Sequence, residues 1–255
     1  MDGMVAPSLK DKVSPEEWTA RVNLAALYRL VAMHGWDDLI YTHISARVPG
    51  PEHHFLINPY GFLFEEMTAS MMVKVDLDGN LVDKSPYRIN AAGFTIHSAL
   101  HMAREDAMYV MHLHTDQGTA VSAQPDGLLP ISQHAGLIIG DLAYHDYEGV
   151  ALDLDERERI VKDLGSKNLL MLRNHGTLTL ADNAAGCFNR MFYLERACKM
   201  QVMAQAGGEV LEITDNVQGV VNSQGKFLGS KMMGEALIWP ALLRKLDRKM
   251  PGYDA

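Results

Sequence analysis

Cysteine is nearly absent from this chain: two in 255 residues, Cys187 and Cys198. They lie eleven positions apart on one predicted helix, so they cannot bridge to each other within it, and neither has a Cys-x-x-Cys partner. A disulfide-stapled fold and a cysteine zinc site are both excluded, leaving two reduced packing residues and pointing to the cytoplasm. Positive charge is also in short supply. Lys and Arg total 23 against 32 Asp and Glu, a net charge of −9, which speaks against a nucleic-acid backbone as partner. The one basic cluster, RKLDRK at 244–249, reads as a solvated helix face. No apolar run approaches the roughly 20 residues of a membrane span. The N-terminus lacks a basic stretch followed by an apolar one, so neither a membrane nor a secretory signal is expected.

What is present fits one α/β domain over 1–255, with a core over about 15–205 and a C-terminal extension over about 206–255. The apolar fraction, 47%, suffices for a packed core, and sixteen methionines give that core adaptable filler. Ser14-Pro15-Glu16-Glu17 predicts a helix start with a capping box, and His34-Gly35 its stop. Strands are predicted at 39–48, 54–61 and 108–114. A hairpin is predicted at 71–83 around an Asp-Gly-Asn turn, and a strand–turn–strand unit at 169–180. Helices are predicted at 89–105, 118–123, 152–166, 184–206 and about 229–248. The stretch 127–132 reads as an extended turn into a strand, and the segment after Gly207-Gly208 as irregular. Strands dominate the middle with helices flanking, which suggests layers of helix around one mostly antiparallel sheet.

His112 and His114 form a His-x-His pair in MYVMHLH. On a strand, residues i and i+2 face the same way, so both imidazoles can aim at one point. His175 follows the apolar run 169–172 in an Asn-His-Gly turn. Spacing alone does not bring it to the pair. A trio would leave coordination positions open, the mark of a catalytic rather than a structural metal site.

Several stretches, in order, resemble the class II aldolase/adducin family: GWDDLIYTHISARV (35–48), FLINPYGFLFEEMTASMMVKVDLDGN (55–80), INAAGFTIHSALHMARE (89–105), VMHLHT (110–115), AYHDYEG (143–149) and LRNHGTLTL (172–180). The resemblance implies a three-layer α/β/α sandwich with a central, mainly antiparallel sheet. It also implies a homotetramer with sites at subunit boundaries, and a metal held by His112, His114 and His175. The family implies Zn²⁺ most often, with Mn²⁺ or Fe²⁺ in some branches. The chain departs from the family's sugar-phosphate aldolases at three places. Where they carry Ser-Ser-Glu, with the Glu as acid/base, this chain has Ala91, Ala92 and Gly93; where they carry Gly-Asn, it has Thr42-His43. With those anchors gone, a phosphorylated sugar is a poor substrate. The AGF and IYTH wording is similar to the adducin head and its bacterial relatives.

The expected activity is therefore a metal-dependent lyase, cleaving or decarboxylating a non-phosphorylated oxo-, hydroxy- or aromatic acid. With no Glu at 93, the expected proton donor is His134, near where related aldolases offer a tyrosine from a neighbouring subunit. His43 is expected to line the pocket. Arg47 and Arg173 are candidate carboxylate clamps, and Tyr144, His145 and Tyr147 candidate pocket walls. Asp146 and Glu148 are candidates to orient a metal histidine. His97 and His101, at i and i+4 on a helix, could bind metal but can equally be satisfied by ordinary hydrogen bonds. Gly93 reads either as a packing glycine or as room beside the metal for a substrate group or a gas. The second reading opens an alternative, a non-haem iron oxygenase; the other alternative is a non-catalytic, adducin-like binding protein.

Overall fold

The structure, a computed structural model, describes residues 8–149, 156–225 and 231–255. Its spine is a seven-stranded sheet in the order β3-β2-β1-β4-β7-β6-β5. The strands are β1 (His43–Arg47), β2 (Phe55–Ile57), β3 (Val73–Val75), β4 (Tyr109–Leu113), β5 (Leu142–His145), β6 (Leu169–Leu172) and β7 (Gly176–Ala181). Every neighbouring pair is antiparallel except β5 with β6. The sheet is thus of the mainly antiparallel kind that the sequence pattern and the resemblance implied.

Strand alternation assigns the faces. On one face Tyr109, Met111 and Leu113 of β4 pack with helices α1 (Pro15–Met33) and α6 (Ala184–Gln205). Leu169 and Met171 of β6 join α6, α3 (Asp116–Ser122) and α4 (Gln133–Ile138) on the same side. On the other face Val110, Leu170, Leu178 and Leu180 pack with Ile96 and Leu100 of α2 (Ala91–Ala103) and Ile160 and Leu164 of α5 (Glu156–Leu164). Both sides of the sheet are covered, which explains why its strands read as near-continuous apolar runs.

Local sequence explains most boundaries. Ser14 caps α1, its hydroxyl accepting from the Glu17 N–H at 3.1 Å, worth about 1 kcal/mol. The expected capping box is only half formed. The Glu17 carboxylate instead accepts from Arg21 Nε at 2.8 Å and Lys74 Nζ at 3.1 Å, because it is buried beside those cations. The strand expected at 39–48 begins only at His43: Leu39 and Thr42 have φ of 53° and 61° and form a turn. The Asp-Gly-Asn turn is present, with Asp76 accepting from the backbone N–H groups of Asp78 and Asn80. Its return strand shrinks to one bridge, Val75 with Leu81, on the edge of β3 opposite β2.

Two expectations are corrected. The strand foreseen at 127–132 is absent; Ser132 instead caps α4, its hydroxyl accepting from the Ala135 N–H. The segment after Gly208 is less irregular than its composition suggests, since α7 (Asp215–Gly225) forms and rests on α4. Gln218 there donates to the Gly136 carbonyl at 2.8 Å. The chain then runs through α8 (Lys231–Met233), a π-helical turn at Gly234–Ile238 and α9 (Trp239–Lys249). This last segment packs back on α1 of its own chain: Trp239 Nε1 donates to Asn23 at 3.2 Å, and Arg29 donates to the carbonyls of Met250 and Pro251. Of the helix expected at 152–166, residues 152–155 lie outside the described residues. Cys187 and Cys198 are buried, unbridged packing residues of α6.

A close backbone approach in the sheet lies where β4 meets the start of β7. A Cβ on Gly176 would stand 2.3 Å from the Leu113 carbonyl oxygen. Gly176→Ala is therefore expected to destabilise the fold by about 2–4 kcal/mol, by forcing β7 away from β4. Urea unfolding checks this, and an unchanged midpoint would show that the strands yield freely.

Candidate metal centre

β4 carries His112 and His114 to the end of the sheet, one inside the strand and the other just beyond it. Asn174, in the left-handed region at φ 56°, turns the chain from β6 into β7, a conformation that asparagine tolerates well. The following His175 is thereby set across from the β4 pair. The three rings form a near-equal triangle, with centroids 4.7, 4.8 and 4.7 Å apart. One ligand-capable atom from each lies within 4.8 Å of the others.

The outer hydrogen bonds fix the tautomers. A backbone carbonyl can only accept, so His112 donates its Nδ1–H to the Thr177 carbonyl at 3.0 Å. His114 donates its Nδ1–H to Asp38 Oδ2 at 3.1 Å. With both rings neutral the two Nε2 atoms are bare, and they face each other at 3.0 Å. Two lone pairs that close repel unless a proton or a metal ion lies between them. Burial and the neighbouring histidines push the His112 pKa well below its ordinary value, and burial pushes that of His175 down to about 4. A proton is thus disfavoured, and the donor set suits a borderline divalent cation. The Asp38–His114 pair is the carboxylate–histidine arrangement that orients and strengthens a metal ligand.

Supporting groups ring the trio. Glu195 of α6 accepts hydrogen bonds from Thr115, next to His114, and from Thr177 at 2.9 Å, which carries the carbonyl that orients His112. It is fully buried, and burial pushes its carboxyl up to about 7 against the pull of those two hydroxyls. His43 stands across β1–β4 from His112, with ring centroids 5.8 Å apart. The preceding Thr42 holds a left-handed φ of 61°, unusual for a β-branched side chain and a strain concentrated beside the site. Tyr28 steadies this strand end, its hydroxyl accepting from the Ile44 N–H at 2.7 Å.

The other candidates fall in different places. Arg47 sits at the far end of β1, donating to the carbonyls of His101 and Arg104 and lying over the Phe55 ring; it is a structural clamp and is not brought to the trio. Arg173 lines an open cleft of about 510 Å³ with Gln124, Asp146, Tyr147 and Asn174. It donates to the Gln124 carbonyl and stacks on Tyr144 at 4.4 Å. The Tyr147 ring joins that cleft to His175 at 6.1 Å. Tyr144 itself is a wall behind Arg173, its hydroxyl accepting from the Leu128 N–H. His134 lies on α4 against the Tyr193 ring, beside Arg196, and makes no ring contact with the trio among the described residues. Glu148 does not orient a metal histidine, because it is taken by Arg159. His145 is held by Asp163 at 2.7 Å. His97 and His101 do not form a metal pair: Ser45 Oγ bridges them. The surroundings of Gly93 lie outside the described residues. Sequence reasoning missed Asp38, Thr177 and Glu195 as supports. Asp38 stands in the quoted GWDDL stretch; Glu195 carries no local signal at all.

The family model described as Class II Aldolase and Adducin N-terminal domain matches residues 22–202. A Caulobacter vibrioides protein named "Putative aldolase class 2 protein" is 65% identical over 96% of each chain. Mouse alpha-adducin is 48% identical over 74% of this chain, which corresponds to 26% of the adducin. An aldolase II superfamily protein from Pseudomonas syringae superposes with a TM-score of 0.93 at 50% identity, over 98% of this chain and all of that one.

Glu195 offers a check on the site's electrostatics. Between the ordinary carboxyl value and about 7, the folded chain keeps a proton that the unfolded chain has released. Stability from this group therefore falls as pH rises across that window and levels off above it. Relative to Glu195→Gln, the wild type is expected to lose up to about 3 kcal/mol between pH 5 and pH 8. Urea unfolding of both proteins at the two pH values measures it, and parallel pH trends would refute the raised carboxyl.

Proposed function

This chain belongs to the class II aldolase/adducin family, and from that premise we propose that it is a metal-dependent lyase. It cleaves or decarboxylates a non-phosphorylated oxo-, hydroxy- or aromatic acid. The observation that carries the reading is the pair of bare, opposed Nε2 atoms of His112 and His114, with His175 completing the triangle. Zn²⁺ is the preferred ion, with Mn²⁺ and Fe²⁺ the alternatives that three imidazoles also accept. When bound, the ion supplies the electrophile that draws charge toward a substrate oxygen, the demand shared by aldol cleavage and decarboxylation.

The chain's own groups do the rest. Asp38 and the Thr177 carbonyl hold two imidazoles in the ligating tautomer. Arg173, facing the cleft beside Tyr147, has the fork that recognises a carboxylate. His43 forms the inner wall beside His112. His134 can reach such a site only as a contribution to a neighbouring copy, in keeping with a tetramer whose sites lie at subunit boundaries. The acidic surface and the small cleft fit a small-molecule substrate in the cytoplasm.

The adducin relatives supply the rival reading, a binding protein without turnover. Their similarity lies in the same domain, but the complete trio with its oriented outer partners supports catalysis.

Metal analysis of the purified protein is expected to give one divalent ion per chain, and His112→Ala with His114→Ala is expected to abolish it with the fold retained by circular dichroism. Asp38→Asn is expected to weaken metal affinity roughly 10- to 100-fold. Metal-free wild type, or mutants with undiminished biological effect, would favour the binding protein. Iron with substrate-linked oxygen uptake would favour the oxygenase.

A further inference from the structure

A second cavity lies away from the metal trio, beside β3 at one end of the sheet. It encloses about 500 Å³ and shares no residue with the trio or its cleft. Its sides come from the segment before α1, the first turns of α1, β3 with the turn ahead of it, and the loop 83–87. Glu17 accepts from Arg21 Nε at 2.8 Å on one carboxylate oxygen and from Lys74 Nζ at 3.1 Å on the other. Lys74 also pairs with Asp83 at 2.9 Å. These two cations and two carboxylates cancel. Lys12 and Lys84 line the same cavity, both exposed, and among the described residues no side-chain hydrogen bond or ion pair holds either. Four cations against two carboxylates leave the cavity positive, in a chain whose net charge is −9.

The hydrogen-bonding groups are equally one-sided. A guanidinium has five N–H groups and no acceptor. Arg21 spends its Nε–H and one Nη2–H on Glu17 and one Nη1–H on the Met72 carbonyl at 2.7 Å, which leaves two. Lys74 keeps one of its three. Ser70 accepts from the Leu9 N–H at 3.3 Å and Ser85 from the Tyr87 N–H at 3.1 Å, so each hydroxyl still has its hydrogen to give. Tyr87 is 8% exposed, and among the described residues its hydroxyl has no partner. Ala255 accepts from the Ser70 N–H but does not line the cavity. The lining thus holds more donors than acceptors, and the surplus sits beside apolar walls made by Val13, Met71, Met72 and Pro86.

We propose that this cavity binds a small organic dianion, its apolar body against the methionines and its anionic groups met by Lys12, Lys84 and Lys74. Carboxylate and phosphate oxygens only accept, so they complement both the positive charge and the surplus of donors. A cation-rich recess on an otherwise acidic chain also draws an anion in as it approaches. An uncharged molecule of the same shape would leave both free lysines unpaired. The site shares nothing with the metal centre, so it stands or falls independently of the lyase reading.

The test uses the full chain labelled on its methionine methyl groups, so that Met71 and Met72 report from the cavity walls. Succinate and glycerol phosphate are titrated separately, with butanediol as the uncharged control. At least one dianion is expected to shift the Met71 and Met72 signals with a dissociation constant below about 1 mM, while the diol leaves them in place. The tighter of the two identifies a carboxylate or a phosphate source. Lys12→Ala combined with Lys84→Ala is expected to weaken binding roughly 5- to 30-fold. Raising salt from about 20 to about 200 mM is expected to weaken it in the wild type. The proposal is overturned if neither anion moves the two signals, if the diol binds as well as the anions, or if the double variant binds unchanged. A response confined to Met191, which touches Thr177 beside the trio, would place the anion at the metal centre and overturn it too. Should the double variant fail to fold, the salt dependence of the wild type decides alone, and an affinity indifferent to salt overturns the proposal.

Discussion

The site depends on β4 being held between β1 and β7 in one register. His112 sits opposite Leu178 on one side and His43 on the other. The close passage of Gly176 against the Leu113 carbonyl brings the Asn-His-Gly turn to the β4 end. A side chain at 176 would force the strands apart and move His175 with them. Shifting β4 by one residue would send His112 to the opposite face, into the layer of α1 and α6. Backbone pairing, more than any side-chain contact, is what brings His175 to the His112–His114 pair and makes a candidate metal centre of the three.

Around that register the protein arranges proton positions. Backbone carbonyls of Thr177 and Ala107 and the Asp38 carboxylate each accept from one imidazole nitrogen. In each case the opposite nitrogen is left bare. Burial keeps the His112 and His101 rings neutral, so those two assignments are firm, and a buried polar network of this kind fixes direction as well as contact. Glu195 works from beneath, tying Thr115 and Thr177 together from the helix layer. The acidic side chain that the aldolases place ahead of this strand is missing at Gly93. One turn further along α2, His97 is held by Ser45.

Much of the layout was legible in the chain. The Ser14-Pro15 start of α1, the apolar period of α2, the strand 108–114 and the unit 169–180 all appear near their expected places, because each is encoded by neighbours in sequence. The elements that were misread are decided elsewhere. α4 depends on the Ser132 cap prevailing over an extended-looking stretch, and α7 has no buried residue of its own and forms by leaning on α4. Arg47 looked like a carboxylate clamp only because its carbonyl partners lie 54 and 57 residues away.

By itself the sequence determined the fold class, the His-x-His pair and, through its resemblance, the identity of the third histidine. Those are properties of local periodicity and of motifs in a fixed order. Only the tertiary structure decided which nitrogen of each imidazole is bare, that Asp38 rather than Glu148 orients His114, and that His97 and His101 share a serine rather than a metal. A proton's position depends on the acceptor facing it, and those acceptors come from strands and helices that meet only when the sheet closes.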